Sequence, residues 1–482
     1  MNYIAGANRD QSLLFPEVID DYVPEDHPVR FIDAFIEGIS LADQGFKHAQ
    51  TAATGRPPYN PGDLLRLYVY GYLNRVRSSR QLEKEAARNL EVIWLMRRLA
   101  PDFKTIADFR KDNGPAIKGV CRQFTLLCRK LDLFGGELVA IDGSKFQAQN
   151  SKDRNFSQKK LRALLEKINA RVESYLAELA EADKTEESAV KAATGVGKLS
   201  ALSLKEKLEA LKERQSIYKE LLAGLEQSGE SQVSLTDPDS RLMSQGQGAM
   251  VGYNVQAAVD AKHSLIVETE VTNHTVDLNE LSGMAIKAQE ALDAQSLAVV
   301  ADKGYYNAKD ILACDTVGIT AYVSKPLTSA NTALGLYGKE SFTFDAARNL
   351  YVCPAGSELT YRFSTNEKGR PIHYYRASGC KTCAIKTFCT RNKANRTITR
   401  IAFEEVQEAM AERVAAHPEI MRRRKAIIEH VFGTIKRGMG FTYFLCRGFK
   451  KVGTELSLTV LAYNLKRAIN LLGVGKLIEA VG

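Results

Sequence analysis

The order of short apolar segments between residues 131 and 345 constrains the fold of this chain more than any other feature. Three segments in succession have the pattern of strands, a helical segment follows, and a strand, a helix and a strand complete the series. Such a series predicts an α/β fold with a mixed sheet, because hairpin strands pair antiparallel whereas strands joined through helices pair parallel. The predicted strands are "LVAI" (138–141), "GYNVQAAVD" (252–260), "SLIVETEVT" (264–272), "SLAVVA" (296–301) and "ITAYV" (319–323).

Other segments divide the chain around this core. Residues 1–130 combine helical apolar spacing with short turns and many Arg and Lys, which indicates a helical DNA-binding domain; a solvated structural bundle is the alternative. Residues 157–232 hold two apolar runs spaced by three and four, which predict an inserted antiparallel helical hairpin. The core is then expected over 131–156 and 233–345, a Cys-rich insert over 346–400, and a C-terminal helical part of the core over 401–482.

The charge of the chain favours a polyanionic partner. Its formal charge is +9, and its 45% hydrophobic and 26% charged residues are ordinary for a globular protein. The first residues, "MNYIAGANRD", lack the pattern of a signal peptide. No apolar run approaches the roughly 20 residues that cross a bilayer. These features predict a soluble, cytoplasmic protein.

Two aspartates follow apolar strand segments of the predicted core. Asp142 comes directly after "LVAI", and Asp302 comes directly after "SLAVVA". Ligands gather at the carboxyl ends of strands in open α/β sheets, and a carboxylate there is costly to bury without a cation. Each aspartate alone is more simply a loop cap, so a metal site needs a third acid. Asp277 is predicted to cap the helix "VDLNELSGMAIKAQEAL" (276–292).

Glu429 is an isolated acid in a basic and apolar stretch. Residues 421–451 contain nine Lys or Arg residues and no other acid. Three converging carboxylates suit Mg²⁺ or Mn²⁺, and two such ions about 4 Å apart can activate a nucleophile and stabilise the leaving oxygen of a phosphodiester. The surrounding cations would then hold the DNA backbone. A solvated basic helix face is the alternative.

Several motifs together resemble bacterial insertion-sequence transposases of the Asp-Asp-Glu (DDE) type, and in particular the 1182 family of insertion sequences within the IS4/IS5-like group. The resemblance extends from about residue 28 to about residue 470. Its three signature blocks are "AIDGSKFQAQ", "VADKGYY" and "EHVFGTIKRGMG". Further matches are "TIADFR" (105–110), "SLTDPDSRLM" (234–243), "GYNVQAAVD" and "TNHTVDLNEL" (272–281).

This resemblance implies an RNase-H-like catalytic core and a DNA transposase. Asp142, Asp302 and Glu429 would form the catalytic triad and hold two Mg²⁺ or Mn²⁺ ions. The enzyme would bind the terminal inverted repeats of its element, hydrolyse phosphodiester bonds at the ends and transfer the 3′-hydroxyls to target DNA. A homodimer on paired double-stranded DNA ends, associated with the bacterial nucleoid, is implied as well. A catalytically inactive, domesticated DNA-binding protein and an RNase-H-like nuclease without strand transfer are the alternatives.

Related transposases carry a Tyr, Arg, Glu, Lys signature around the glutamate. Here the spacing from Glu429 to Lys436 is kept, while Lys425 and Arg422 stand at the Arg and Tyr positions. Lys436 lies nearly two helical turns after Glu429, so we expect it on the same helix face and in contact with DNA at the element end. The other predicted DNA contacts are Arg437, Lys425, Arg424 and Arg422.

Four of the eight cysteines fall in one short segment, residues 353–389. A Cys-x₂-Cys pair with two further cysteines is typical of a structural Zn²⁺ site, so a small zinc-ribbon-like insert is predicted; free thiols in a packed loop are the alternative. The predicted zinc ligands are Cys353, Cys380, Cys383 and Cys389. The other cysteines, Cys121, Cys128, Cys314 and Cys446, are expected in the core.

Overall fold

The computed structural model describes residues 18–50, 57–188, 196–246, 248–326, 330–367, 370–401 and 403–482. Six helices lie in the described residues between 28 and 130, which confirms the predicted helical character of this part. The second helix begins at Pro61 because the Asn60 side chain accepts a hydrogen bond from the Gly62 N–H at 2.8 Å, and proline suits the first helical turn. The helices are α1 (Pro28–Glu37), α2 (Pro61–Leu73), α3 (Ser79–Arg88), α4 (Leu90–Leu95), α5 (Phe103–Asp112) and α6 (Gly114–Lys130).

The first core strand, β1, is followed by the helical insert. The two insert helices pack along each other, with an ion pair of 2.9 Å between Arg162 and Glu226, and both helices of the predicted hairpin are present. Residues 189–195, which join them, lie outside the described residues. The elements are β1 (Leu138–Gln147), β2 (Asn155–Ser157), α7 (Gln158–Ser188), α8 (Val196–Ser228) and β3 (Gln232–Ser234), with β2 and β3 paired antiparallel.

The remaining core strands follow with two helices between them. Together with β1 they give four strands, a helix, a strand, a helix and a strand, so every predicted strand is present and Arg241–Gln245 forms one more that the apolar pattern did not predict. These elements are β4 (Arg241–Gln245), β5 (Gly248–Asp260), β6 (Ile266–Thr272), α9 (Leu281–Leu292), β7 (Leu297–Ala301), α10 (Ala308–Thr316) and β8 (Ile319–Val323).

The Cys-rich segment forms a small antiparallel sheet with its own apolar core. Tyr351, Leu359 and Tyr375 are buried at its centre. The strand order is β13–β12–β11–β10–β9. The elements are α11 (Ala330–Ala333), β9 (Thr343–Asp345), β10 (Leu350–Val352), β11 (Glu358–Glu367), β12 (Arg370–Ala377), α12 (Lys386–Cys389) and β13 (Thr397–Ile401).

The C-terminal part of the chain is helical and returns to the N-terminal helices. It consists of α13 (Glu404–Ala416), α14 (Pro418–Gly433), a π-helical segment (Thr434–Gly438), α15 (Phe449–Leu472) and α16 (Val474–Val481). The helix α15 packs on α2 and α6, and α16 packs on α1. One continuous apolar core therefore joins the N-terminal helices, the large sheet and the C-terminal helices. No helix in the described ranges is long and apolar enough to cross a membrane.

The large sheet is mixed, so the predicted α/β class is confirmed. Its order is β4–β5–β1–β7–β8, and β6 pairs with β5. The strand β5 is antiparallel to β1, β4 and β6, whereas β7 is parallel to β1 and β8 is parallel to β7. The helices α9 and α14 both pack on this sheet, and α14 carries Glu429 to it.

Candidate active site

Asp142 and Asp302 lie side by side on neighbouring parallel strands. Asp302 directly follows β7, and the register pairs Ile141 with Ala301. Because paired strands are about 4.8 Å apart, the next residue of each strand brings the two aspartates to the same place. The prediction that the first strand ends before Asp142 is wrong. The strand β1 continues to Gln147, since its other edge stays paired with β5.

Arg424 connects Glu429 to this pair of aspartates. Its Nη1 atom lies 3.4 Å from Asp142 Oδ2, and its Nη2 atom lies 3.5 Å from Glu429 Oε1. One guanidinium that contacts both carboxylates holds them around a common point. The structure therefore brings Asp142 close to both Asp302 and Glu429. The Arg424 side chain is only 13% exposed, so it faces the acids rather than solvent.

The electrostatics of Asp142 reflect this crowding. Burial raises the pKa of Asp142 to about 6, and the negative charges of Asp302 and Asp277 act in the same direction. Arg424 and a hydrogen bond of 2.9 Å from the Gly143 N–H oppose the rise in pKa. Desolvation is thus the main cause of the raised pKa, and a cation bound beside Asp142 would favour its ionised form.

Asp277 lies close to this pair of aspartates, although its sequence context indicates a helix cap. The prediction that it caps a helix is wrong, because α9 begins only at Leu281. Its Oδ1 atom instead accepts hydrogen bonds from Asn254 Nδ2 at 2.7 Å and from Gln256 Nε2 at 2.8 Å. It lies so close to β1 that a Cβ atom at Gly143 would overlap it. The signal in the sequence was the pair Asn254 and Gln256, two amides at alternate positions of an otherwise apolar strand, which indicates a buried polar partner.

Lys436 lies against the second half of β1. Its ammonium group donates hydrogen bonds of 2.7 Å to Ser144 Oγ and to the carbonyl of Lys145, and it stands 4.5 Å from the centre of the Phe146 ring. Burial lowers the pKa of Lys436 to about 8. The helix α14 ends at Gly433, and Lys436 belongs to the π-helical segment that follows, so the regular helix assumed between Glu429 and Lys436 is interrupted.

The other predicted DNA contacts differ in their exposure. Arg422, Lys425 and Arg437 are exposed, in contrast to Arg424. The Glu429 side chain is 52% exposed, so the acids stand at an open surface with cations beside them. This placement allows the exposed cations to contact a bound polyanion while the acids face its backbone.

The donor set of the site fits a hard divalent cation. Carboxylate oxygens are the ligands that Mg²⁺ and Mn²⁺ prefer, and the Arg424 guanidinium already stands as a positive charge between Asp142 and Glu429. Within the described residues, no three His, Cys, Asp or Glu side chains are placed so that they could hold a metal ion. Metal binding would therefore require these side chains to rotate and Arg424 to withdraw.

The four clustered cysteines line one pocket of the small sheet. The pocket is bordered by Cys353, Cys380, Cys383 and Cys389. Backbone N–H groups donate to two of the sulfur atoms, from Ser357 to Cys353 at 3.3 Å and from Arg396 to Cys380 at 3.4 Å. The other four cysteines pack in or against the main core, as predicted; these are Cys121, Cys128, Cys314 and Cys446.

Two segments of the chain match known protein families. Residues 352–469, which include Glu429, match the family described as transposase DDE domain. Residues 17–112 match the family described as transposase domain (DUF772). Both matches point to a transposase, and the first points to a transposase of the DDE class. They confirm, more particularly, the resemblance to the transposases of insertion sequences.

One solved structure is also similar to the chain. It is the cryo-EM structure of the piggyBac transposase synaptic complex with hairpin DNA, with 8% identity and a TM-score of 0.33 over 94% of this chain and 79% of that chain. This likeness is too weak to indicate that the two proteins share a fold or a function. The comparison with curated proteins finds no match.

Proposed function

We propose that this protein is a DDE transposase of the 1182 family of insertion sequences. It binds the terminal inverted repeats of its element, hydrolyses phosphodiester bonds at the ends and transfers the 3′-hydroxyls to target DNA. The observation that carries this proposal is the position of Asp142 beside Asp302 and its link through Arg424 to Glu429. This arrangement of two strand residues and a helix residue, with exposed cations on the same helix, supports a shared metal site.

The core that we propose is RNase-H-like. The supporting observation is the strand order β6–β5–β1–β7–β8, in which β1, β7 and β8 are parallel and β5 and β6 alternate in direction. The proposed domains are those expected from the sequence, with a DNA-binding domain over residues 1–130. The match of residues 17–112 to a transposase domain supports this assignment.

Asp142, Asp302 and Glu429 would hold two Mg²⁺ or Mn²⁺ ions. Such ions, when bound, lower the pKa of an attacking water or 3′-hydroxyl and stabilise the leaving oxygen. Hydrogen bonds from backbone N–H groups fix two of these carboxylates, Asp142 through its own strand and Asp302 through the Gly304 N–H at 2.7 Å. Arg424, once released from the acids, would be free to bind a DNA phosphate.

The partner that we propose is double-stranded DNA at the element ends and at the target. Exposed Arg422, Lys425 and Arg437 would contact phosphates, and Lys436 would contact the end beside Asp142. Two ends must be processed together, so the protein would act as a homodimer on paired ends in the bacterial cytoplasm. The insert of α7 and α8 is the proposed dimer contact.

The experiment that tests the function uses a supercoiled plasmid that carries the element ends. Asp142→Ala, Asp302→Ala and Glu429→Ala should each abolish Mg²⁺-dependent end cleavage while end binding persists. Glu419→Gln, an exposed acid on the same helix as Glu429, is the matched control and should cleave normally. Undiminished cleavage by any of the three variants would contradict the proposal. Binding without cleavage by the wild type would favour a domesticated protein, and cleavage without joined products a simple nuclease.

A structural Zn²⁺ ion in the small sheet is part of the same proposal. Four thiols that border one pocket, two of them accepting backbone hydrogen bonds, are the type of ligand that Zn²⁺ prefers, and their side chains would have to rotate to share one ion. Burial raises the pKa of Cys389 and the charge of Arg396 opposes the rise, so a bound Zn²⁺ would favour the thiolate form of this ligand.

Metal analysis of the purified protein tests the zinc site. The wild type should contain one Zn²⁺ per chain, and Cys383→Ala should lose it together with much of the thermal stability of the insert. Cys121→Ala, at a cysteine packed against the main core, is the control and should keep the metal. A metal-free wild type that is as stable in chelator as in added Zn²⁺ would show that the thiols are free.

A further inference from the structure

Asp277 stands between the backbone segments that carry the two aspartates. Its Oδ1 atom touches the position of a Cβ atom at Gly143, the residue after Asp142. Its Oδ2 atom lies 3.8 Å from the corresponding position at Gly304, two residues after Asp302. A side chain at either glycine would enter this space. Both glycines therefore leave room for one carboxylate beside the backbone segments that carry Asp142 and Asp302.

Neutral groups orient this carboxylate, and no cation in the described part of the chain forms an ion pair with it. Asn254 and Gln256 donate to Oδ1 from the buried face of β5, and the Tyr305 hydroxyl in turn donates to Gln256 Oε1. All three supporting side chains are at most 1% exposed. Among the described residues, Asp277 Oδ2 accepts no hydrogen bond and pairs with no cation. One oxygen is thus fixed and the other is free on the side of Asp302.

A second observation points to a ligand at the same place. Asn254 is 1% exposed, and its Oδ1 atom has no hydrogen-bond partner among the described residues. This oxygen lies 3.0 Å from the Cβ position at Gly143, so it borders the space that Asp277 enters. A buried amide oxygen without a partner costs about 1–3 kcal/mol. A bound cation or its water would satisfy this oxygen.

We infer that Asp277 is a fourth carboxylate of the metal site and that its Oδ2 atom binds a divalent cation held with Asp142 and Asp302. This inference rests on the proposed two-metal function and adds a ligand to it. Asp277 supplies the third negative charge on the sheet side, which allows Glu429 on the exposed helix to serve the second ion. The amides of Asn254 and Gln256 are positioning residues for it.

The test measures Mn²⁺ affinity by calorimetry in the absence of DNA. Asp277→Asn should lower the affinity by at least about tenfold, as Asp142→Asn should, because each removes one charged ligand. Asp293→Asn, the same change at an exposed acid that follows α9, should bind Mn²⁺ like the wild type. If Asp277→Asn binds Mn²⁺ as tightly as the wild type while Asp142→Asn binds it more weakly, this inference is overturned and the proposed function is not. Unchanged affinity of both variants would contradict the proposed function itself.

A crystal of the wild-type protein with Mn²⁺ makes the test independent of how the variants fold. The anomalous signal should place an ion about 2.2 Å from Asp277 Oδ2 as well as from Asp142. An ion bound to Asp142 and Asp302 with Asp277 more than about 4 Å away would overturn the inference.

Discussion

Replacing Asp142 by Asn should make the metal-free protein more stable at neutral and alkaline pH. The Asp142 side chain is 22% exposed, and its pKa in the folded protein is about 6, against 3.8 for the free side chain. The folded state therefore holds this proton more tightly than the unfolded state. Below about pH 4 the carboxyl is protonated in both states and has no effect on stability. As pH rises from about 4 to 6, the unfolded state ionises first, so the free energy of unfolding falls, and it stays at this lower value above about pH 6. A difference of about two pKa units between the folded and unfolded states corresponds to about 3 kcal/mol of stability.

Urea unfolding in EDTA measures this difference. Asp142→Asn should raise the free energy of unfolding by about 2–3 kcal/mol at pH 8 and leave it unchanged at pH 4. Asp43→Asn, at an exposed acid, should change it at neither pH. Saturating Mn²⁺ should stabilise the wild type and have little effect on Asp142→Asn. A variant no more stable than the wild type at pH 8, or equally stabilised at pH 4, would refute the interpretation of Asp142 as a carboxylate that burial makes costly to ionise.

Three further changes test the parts around this acid. Lys436→Ala should weaken binding to end DNA and reduce the slope of log affinity against log salt by about one, and an unchanged slope in filter binding would argue against a phosphate contact. Gly143→Ala should displace Asp277, abolish cleavage and cost about 1–3 kcal/mol, whereas Gly283→Ala, where a Cβ meets open space, should cleave normally in the same assay. Arg424→Gln should tighten Mn²⁺ binding in calorimetry, because the variant lacks the guanidinium that competes with the metal for Asp142 and Glu429. Weaker binding by this variant would contradict the expectation.

The strand positions of the site could be predicted from local sequence. Apolar runs that end at Asp142 and Asp302 indicate buried strands whatever surrounds them, and the parallel register places these residues together. The length of β1 could not be predicted in this way. Residues 143–147 are polar or small apart from Phe146, and they form a strand because β5 pairs with them.

The role of Arg424 and that of Asp277 depend on tertiary contacts that no local pattern records. Arg424 looked like one of several equivalent cations, yet its place on α14 turns it toward Asp142. Asp277 had the sequence context of a helix cap, but amides from another strand bind it. The packing of α15 on the N-terminal helices could not be predicted either. Several faces of α15 are apolar, so its sequence does not indicate which element each face contacts.

Metal-directed cleavage of the polypeptide tests the convergence of the acids most directly. Fe²⁺ bound in place of Mg²⁺ generates hydroxyl radicals that cut the nearby backbone when ascorbate and peroxide are added. We expect cuts near residues 142, 302 and 429 in the same sample, all suppressed by excess Mg²⁺ and lost together in Asp142→Asn. Cuts confined to one of these segments, or unaffected by Mg²⁺, would contradict a shared metal site.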